Sequence, residues 1–181
     1  FMAFAVPFSW ILKPENIEKG LDAVVTKIQR ISSNSINPTI KNYHWLDLVF
    51  GMFEAYDSGH ETAILVDEKN NALEGPGFNF FCLSKGCLYT PGNGVLKGIT
   101  RGVVIDIARE LKIPFSFSLI PLGKLLSSDE VFATSTAGGI MPITKINSQI
   151  IGNGKMGALT KKIHDIYWFK HQDDNWSTLL K

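Results

Sequence analysis

The sequence predicts a mixed α+β domain of short strands with two or three helices set between them, and three observations predict it. Most apolar runs are brief and are bounded by clusters of Gly, Pro, Asn and Asp, the mark of strands and turns. Neighbouring runs are joined by short turn clusters such as Ser84-Lys85-Gly86, so hairpins outnumber strand–helix–strand units and the sheet is not doubly wound. Apolar residues recur at helical spacing only in 48–56, 100–111 and 159–167.

Residues 1–12 are apolar apart from Ser9 and read as a strand. They lack a basic leader and a small-residue cleavage site and are too short to cross a bilayer. The start at Phe1 rather than at Met makes them the expected last strand of a truncated upstream domain. Residues 13–20, with Pro14 and Gly20, read as a linker, and 21–181 as one large domain. Residues 21–30 alternate, with Val24, Thr26 and Ile28 on one side and Val25, Lys27 and Gln29 on the other, which predicts a half-buried strand.

A polar loop then leads to Lys41. Asp47 is the expected N-cap of a helix that ends by Gly59, and its heavily apolar composition (Leu48, Val49, Met52, Phe53, Tyr56) predicts burial. Residues 62–66 and 72–74 form a hairpin across 67–71, and 78–83 and 87–90 are strands. A helix follows from Thr100, with Val103, Val104, Ile107, Ala108 and Leu111 on its apolar face. Residues 114–120 are strand-like, 121–129 short and helical or irregular, 131–135 extended, and 143–151 a further hairpin. The last helix carries Leu159, Ile163, Ile166 and Tyr167 on one face, and the tail from His171 is polar, expected to be mobile or partner-bound.

With 181 residues, 45% of them hydrophobic and 19% charged, the chain can build a substantial core. The net charge of +1 and the lack of a Lys/Arg run argue against a nucleic-acid surface. Cys82 and Cys87 make no disulfide framework and have no Cys/His pair to complete a zinc site. Reduced thiols in a cytoplasmic protein are expected.

The residues that carry chemistry begin with Lys41, in Lys41-Asn42-Tyr43-His44-Trp45. A lysine among apolar and aromatic neighbours can lose its proton and become a nucleophile for carbonyl compounds; otherwise its stem lies along the surface. Gly98-Ile99-Thr100 runs into a helix start, which offers free N–H groups to an anion, unless Thr100 is an ordinary N-cap. Thr134 to Gly139 places hydroxyls and small residues at a strand end, as an anion cradle or a tight turn. Glu74, before Gly75-Pro76-Gly77, is either solvated or aimed at a ligand cation. Asn79, between two phenylalanines, needs a partner. Together these residues fit pyridoxal phosphate: a lysine for its carbonyl, a carboxylate for its ring nitrogen, threonines and amides for its phosphate.

The order Lys41-Asn42…Trp45, Glu74-Gly75-x-x-Phe78-Asn79, Tyr89-Thr90-Pro91, Leu96-Lys97-Gly98-Ile99-Thr100-Arg101, Asp129-Glu130-Val131-Phe132 and Ser135-Thr136-Ala137…Pro142 resembles the class IV, fold type IV, pyridoxal-phosphate aminotransferases. The likeness spans about 4–168 and implies the branched-chain aminotransferase-like fold. Within that family, Val6-Pro7-Phe8-Ser9-Trp10, Pro38-Thr39-Ile40-Lys41-Asn42, Trp45 and Thr136 to Thr144 look most like the (R)-selective amine transaminases. Branched-chain enzymes tend to carry Ala-Glu where this chain has Gly138-Gly139, and Tyr43 is no evident match for their tyrosine near the cofactor's phenolic oxygen.

The resemblance implies that Lys41 is the Schiff-base lysine and proton shuttle. It implies that Glu74 partners the pyridine nitrogen, with Asn79 also at the cofactor. By the same likeness Leu96 packs on the ring, Ile99, Thr100 and Thr136 hold the phosphate, and Trp45, Ser135 and Ala137 line the substrate pocket. Arg101 is expected to face away, because the family's phosphate-binding arginine comes from a smaller N-terminal domain. The implied activity is amino transfer between a primary amine, an (R)-amine first, and a 2-oxo acid such as pyruvate, in a homodimer. Branched-chain L-amino acid or D-amino acid transamination, an aminodeoxychorismate lyase-like elimination, and an inactive cofactor-domain fragment are the alternatives.

Overall fold

In the computed structural model, which describes residues 2–7 and 10–178, a nine-stranded mixed sheet carries the chain. The elements follow in order: β1 (Leu21–Gln29), α1 (Leu46–Asp57), β2 (Thr62–Val66), β3 (Ala72–Glu74), β4 (Asn79–Ser84) and β5 (Cys87–Thr90). After them come α2 (Ile99–Glu110), β6 (Phe115–Phe117), α3 (Leu122–Leu126), β7 (Glu130–Ser135), β8 (Gly139–Ile146), β9 (Gln149–Ile150) and α4 (Ala158–Lys170). The spatial order is β3-β2-β1-β8-β7-β4-β5-β6, with β9 on β8. Strand β8 joins two halves: its first residues pair antiparallel with β7, and from Ile143 onward it pairs parallel with β1.

The hairpins expected at β2–β3, β4–β5 and β8–β9 form, each with antiparallel pairing. Two parallel crossovers also form, β1–α1–β2 and β5–α2–β6, because parallel neighbours need a long connection and a helix supplies it. The class is therefore mixed α and β, as expected.

Period-two alternation sorts the side chains to two faces. Ala23, Ile64, Phe80, Cys82, Ala133 and Met141 point into the main core with Leu125 of α3. Their chain neighbours Phe81, Phe132 and Ile140 point the other way, against Val104 and Ile107 of α2 and Ile163 and Tyr167 of α4. Phe81 and Phe132 are paired across β4 and β7 and stack at 5.3 Å between centroids. Burying each of these rings is worth about 1.5–3 kcal/mol.

The strand β1 is half-buried as expected, with Thr26 buried between Val24 and Ile28, which pack with Leu65 and Leu48, and with Lys27 and Gln29 exposed on the other side, although Val25 packs against the main core. Other expectations change. Residues 2–7 and 10–12 form no strand, for a strand needs a ladder partner. Phe1, Phe8 and Ser9 of that expected strand, and residues 179–181 of the tail, lie outside the described residues. The linker contains a 3-10 turn, Pro14–Asn16.

Helix α1 is not buried: only Gly51 and Ala55 are, while Val49, Phe50, Phe53 and Tyr56 are exposed. Its N-cap is Trp45, because the Asp47 carboxylate is taken up by Arg30 and the Ile31 N–H. The tail from His171 brings Trp176 back to the end of α4, where the Lys170 ammonium lies 4.0 Å from its ring centre. Cys82 and Cys87 are free thiols, and burial pushes the Cys82 thiol up. Among the described residues no helix is long and apolar enough to cross a membrane.

Candidate active site

A cleft of about 850 Å³ opens where the end of β1, the 31–45 loop, α1, the 75–78 turn, the start of α2 and the 135–137 turn meet. Every residue singled out from the sequence lines it: Lys41, Trp45, Glu74, Asn79, Leu96, Ile99, Thr100, Ser135, Thr136 and Ala137.

Glu74 ends β3 at the edge of a tight turn. Gly75 and Phe78 exchange backbone hydrogen bonds at 3.1 and 3.2 Å, and Gly77 takes φ +85°, which favours glycine at that turn position. A side chain at Gly75 would strike the Phe78 ring and the Ala63 carbonyl. The turn thus directs a buried carboxylate into the cleft. Arg30 Nε donates to Glu74 Oε1 at 2.9 Å, and the Leu96 N–H donates to Oε2 at 3.0 Å. The Asn79 side-chain amide donates to Oε2 at 3.3 Å and to the Leu96 carbonyl at 2.9 Å, so Asn79 has its partners. Burial pushes the Glu74 carboxyl above its ordinary range, against the pull of the Leu96 N–H and Arg30. Arg30 is raised: burial lowers it, and the hydrogen bonds to Asp47 and Glu74 outweigh that.

Gly98, not Thr100, is the N-cap of α2, and it brings no side-chain cap. The N–H groups of Ile99 and Thr100 therefore have no acceptor among the described residues and stand at the positive end of the helix dipole. The Thr100 side chain is buried at this helix start. Thr136 is exposed at the tip of the turn after β7. Ser135 is different: its hydroxyl donates to the Gly77 carbonyl at 2.8 Å and accepts from the Ala137 N–H at 3.2 Å. It braces the cleft wall rather than offering a free hydroxyl.

Lys41 is exposed, in the loop before α1. Its ammonium lies 5.9 Å from the Trp45 ring centre, so one aromatic neighbour of those expected is at hand, while Tyr43 points to solvent. Arg101 faces away from the cleft as expected. It is buried, bonded to Thr90 Oγ1 and the Pro91 carbonyl and 5.1 Å from the Phe117 ring, and burial lowers its pKa.

The sequence reading missed the site roles of Arg30 and Asp47. They lie 44 and 27 residues before Glu74, and no local pattern links them. The one available signal was an arginine closing an apolar strand, since a buried arginine needs carboxylates.

The donor set suits pyridoxal phosphate: a buried carboxylate for a protonated ring nitrogen, free N–H groups and a hydroxyl for a phosphate, and an amine for an aldehyde. Among the described residues no cluster of His, Cys, Asp and Glu could hold a metal.

Comparison with known proteins places these features in context. The pattern of the family described as "Amino-transferase class IV" matches residues 1–146. A putative branched-chain-amino-acid aminotransferase of Methanocaldococcus jannaschii is 35% identical over 150 residues, 82% of this chain and 52% of the relative. The fold matches a branched-chain aminotransferase of Thermoproteus uzoniensis, crystallised with norvaline, at a TM-score of 0.86 and 31% identity over 96% of this chain and 59% of that one. It also matches the branched-chain amino acid aminotransferase of Thermobaculum terrenum in its PLP-bound holo-form, at a TM-score of 0.86 and 28% identity over 92% of this chain and 57% of that one. The chain thus spans a little over half the length of these relatives. All three are named for branched-chain amino acids, none for (R)-amines.

Proposed function

This chain belongs to the class IV aminotransferases, and from that premise we propose that it is the large, cofactor-bearing domain of a pyridoxal-phosphate-dependent branched-chain amino acid aminotransferase. The observation that carries the reading is the buried Glu74 carboxylate, held by Arg30, Leu96 and Asn79, in one cleft with Lys41 and the open N-terminus of α2. The relatives' names support branched-chain amino acids over (R)-amines as the donor class.

Pyridoxal phosphate, when bound, supplies an electron-withdrawing ring that stabilises negative charge at the substrate's α-carbon. Glu74 keeps the ring nitrogen protonated. The N–H groups of Ile99 and Thr100, the Thr100 hydroxyl and Thr136 hold the phosphate. Leu96 packs on the ring, and Asn79 keeps Glu74 in place. Lys41 is the residue that would hold the cofactor's aldehyde and, as a neutral amine, would take up and return the proton at the substrate's α-carbon. Trp45, Ser135 and Ala137 shape the substrate side. The partners are a branched-chain L-amino acid and a 2-oxo acid, in a homodimer.

A second reading, transfer from an (R)-amine, is favoured by the turn after Thr136. A Cβ on Gly138 would strike the Met141 sulfur, and Gly139 takes φ +66° beneath Tyr167 and Trp168. At Gly139 the left-handed backbone and the two rings against it disfavour the Glu of the Ala-Glu pair that the sequence resemblance associates with branched-chain enzymes.

A donor panel decides between them. L-Leucine, D-alanine and (R)- and (S)-1-phenylethylamine are each offered with a 2-oxo acid. L-Leucine is the expected donor; reaction with (R)-1-phenylethylamine alone would overturn the branched-chain reading. Borohydride should trap the cofactor on the wild type and not on Lys41→Ala. Trapping that survives the substitution removes Lys41 from its role.

A further inference from the structure

Arg30, just past the end of β1, lies between two carboxylates from distant parts of the chain. Its Nε donates to Glu74 Oε1 at 2.9 Å, and a terminal nitrogen donates to Asp47 Oδ2 at 2.6 Å. All three side chains are nearly buried, with 9%, 6% and 13% exposed for Arg30, Glu74 and Asp47. The same Asp47 oxygen accepts the Ile31 N–H at 2.8 Å. Residues 32–45, which carry Lys41 and Trp45, are therefore a loop whose two ends are clamped together at Arg30, Ile31 and Asp47.

We propose that Arg30 is the positioning residue of this cleft: it fixes Glu74 as an oriented anion and, through Asp47, ties the base of the Lys41 loop to it. The purpose of this arrangement rests on the pyridoxal-phosphate reading; the charge coupling itself does not. A guanidinium fork serves two acceptors in one plane, which a lysine ammonium does not match.

The groups facing Glu74 come from four elements: Arg30 beside β1, Asp47 of α1, Asn79 of β4 and the Leu96 N–H before α2. Arg101 on α2 lies within reach of its field. Burial drives the Glu74 carboxyl up, the Leu96 N–H and Arg30 pull it down, and the charge of Asp47 pushes it up again. Removing Arg30 and removing the Asp47 charge must therefore act on Glu74 in opposite directions. A purely mechanical clamp would be damaged by both changes alike.

The test follows the Glu74 carboxyl by ¹³C NMR across a pH titration of the cofactor-free protein. Arg30→Gln should raise its midpoint by about 1–3 pH units, and Arg30→Lys should recover part of that. Asp47→Asn should lower the midpoint, while its amide oxygen still accepts the Ile31 N–H. In parallel, affinity for pyridoxal phosphate, read from visible absorbance, should fall about tenfold or more in Arg30→Gln and hold or tighten in Asp47→Asn. If Arg30→Gln does not fold, Arg30→Lys against Asp47→Asn carries the same opposition. An unmoved midpoint in the Arg30 variants, or movement in one direction for both residues, overturns the inference. Opposite movements in the Arg30 and Asp47 variants, with a wild type that takes up no pyridoxal phosphate, would leave Arg30's role standing and remove the cofactor reading instead.

Discussion

Gly98→Ala should cost far more than a methyl group at a helix start ordinarily does. Gly98 sits at φ −61° and ψ 143°, a backbone that alanine accepts without strain. The whole penalty comes from the cleft wall, because the new Cβ would collide with Asn79 Oδ1. Asn79 is 5% exposed and held by its hydrogen bonds to the Leu96 carbonyl and Glu74. Clearing the clash breaks both bonds, each worth about 0.5–1.5 kcal/mol. Overpacking adds about 1–3 kcal/mol, so a loss of ~2–6 kcal/mol is expected. Urea unfolding with an unchanged m-value reads it. The decisive measurement is a double-mutant cycle. Asn79→Ala alone loses the two hydrogen bonds, but it also removes the atom that alanine at 98 strikes. The double variant should therefore cost about as much as Asn79→Ala alone, ~2–6 kcal/mol less than the sum of the singles. Additivity within ~0.5 kcal/mol would refute the reasoning.

Glu130→Ala should destabilise the chain by about 2–4 kcal/mol, since this carboxylate caps α4 through the Leu159 N–H, the Thr160 N–H and the Thr160 hydroxyl where the Gly157 cap supplies no side chain; a change under ~0.5 kcal/mol in denaturant midpoint would sink that assignment. Asp22 gives a pH-dependent test. Burial raises its pKa, but hydrogen bonds from Lys145 and His60 hold it below its ordinary value. Its contribution is thus present above the unfolded value near ~3.9 and lost as pH falls through the lower folded value. Asp22→Asn should accordingly be less stable than wild type at neutral pH, with the gap closing only in strong acid; a gap that persists there contradicts the linkage.

What was legible in the sequence was local. The apolar alternation in 78–83 and 131–135 and the turn residues between strands found β4, β5, β7 and the hairpins, because period and turn chemistry act over a few residues. The cleft was legible too, since Glu74 before a Gly-Pro-Gly turn, a glycine before Ile99-Thr100, and Ser135-Thr136-Ala137 each sit where a strand or helix ends. The parallel partners of β1 were not, because a crossover pairing leaves no mark in either strand. Arg30 stayed hidden for the same reason, its two carboxylates lying 17 and 44 residues away. Asp47 had the composition of a cap but was claimed by that arginine. The burial of α1 failed because composition counts apolar residues without saying whether anything covers them.

That uncovered side of α1 has a thermal consequence. Val49, Phe50, Phe53 and Tyr56 leave apolar surface in contact with water along one face of the helix. Any association that shields them will release that water with a negative heat-capacity change and with ΔH near zero around room temperature. Such an assembly loosens on cooling, so a preparation held on ice and one held at room temperature would differ in how much of this face is wet.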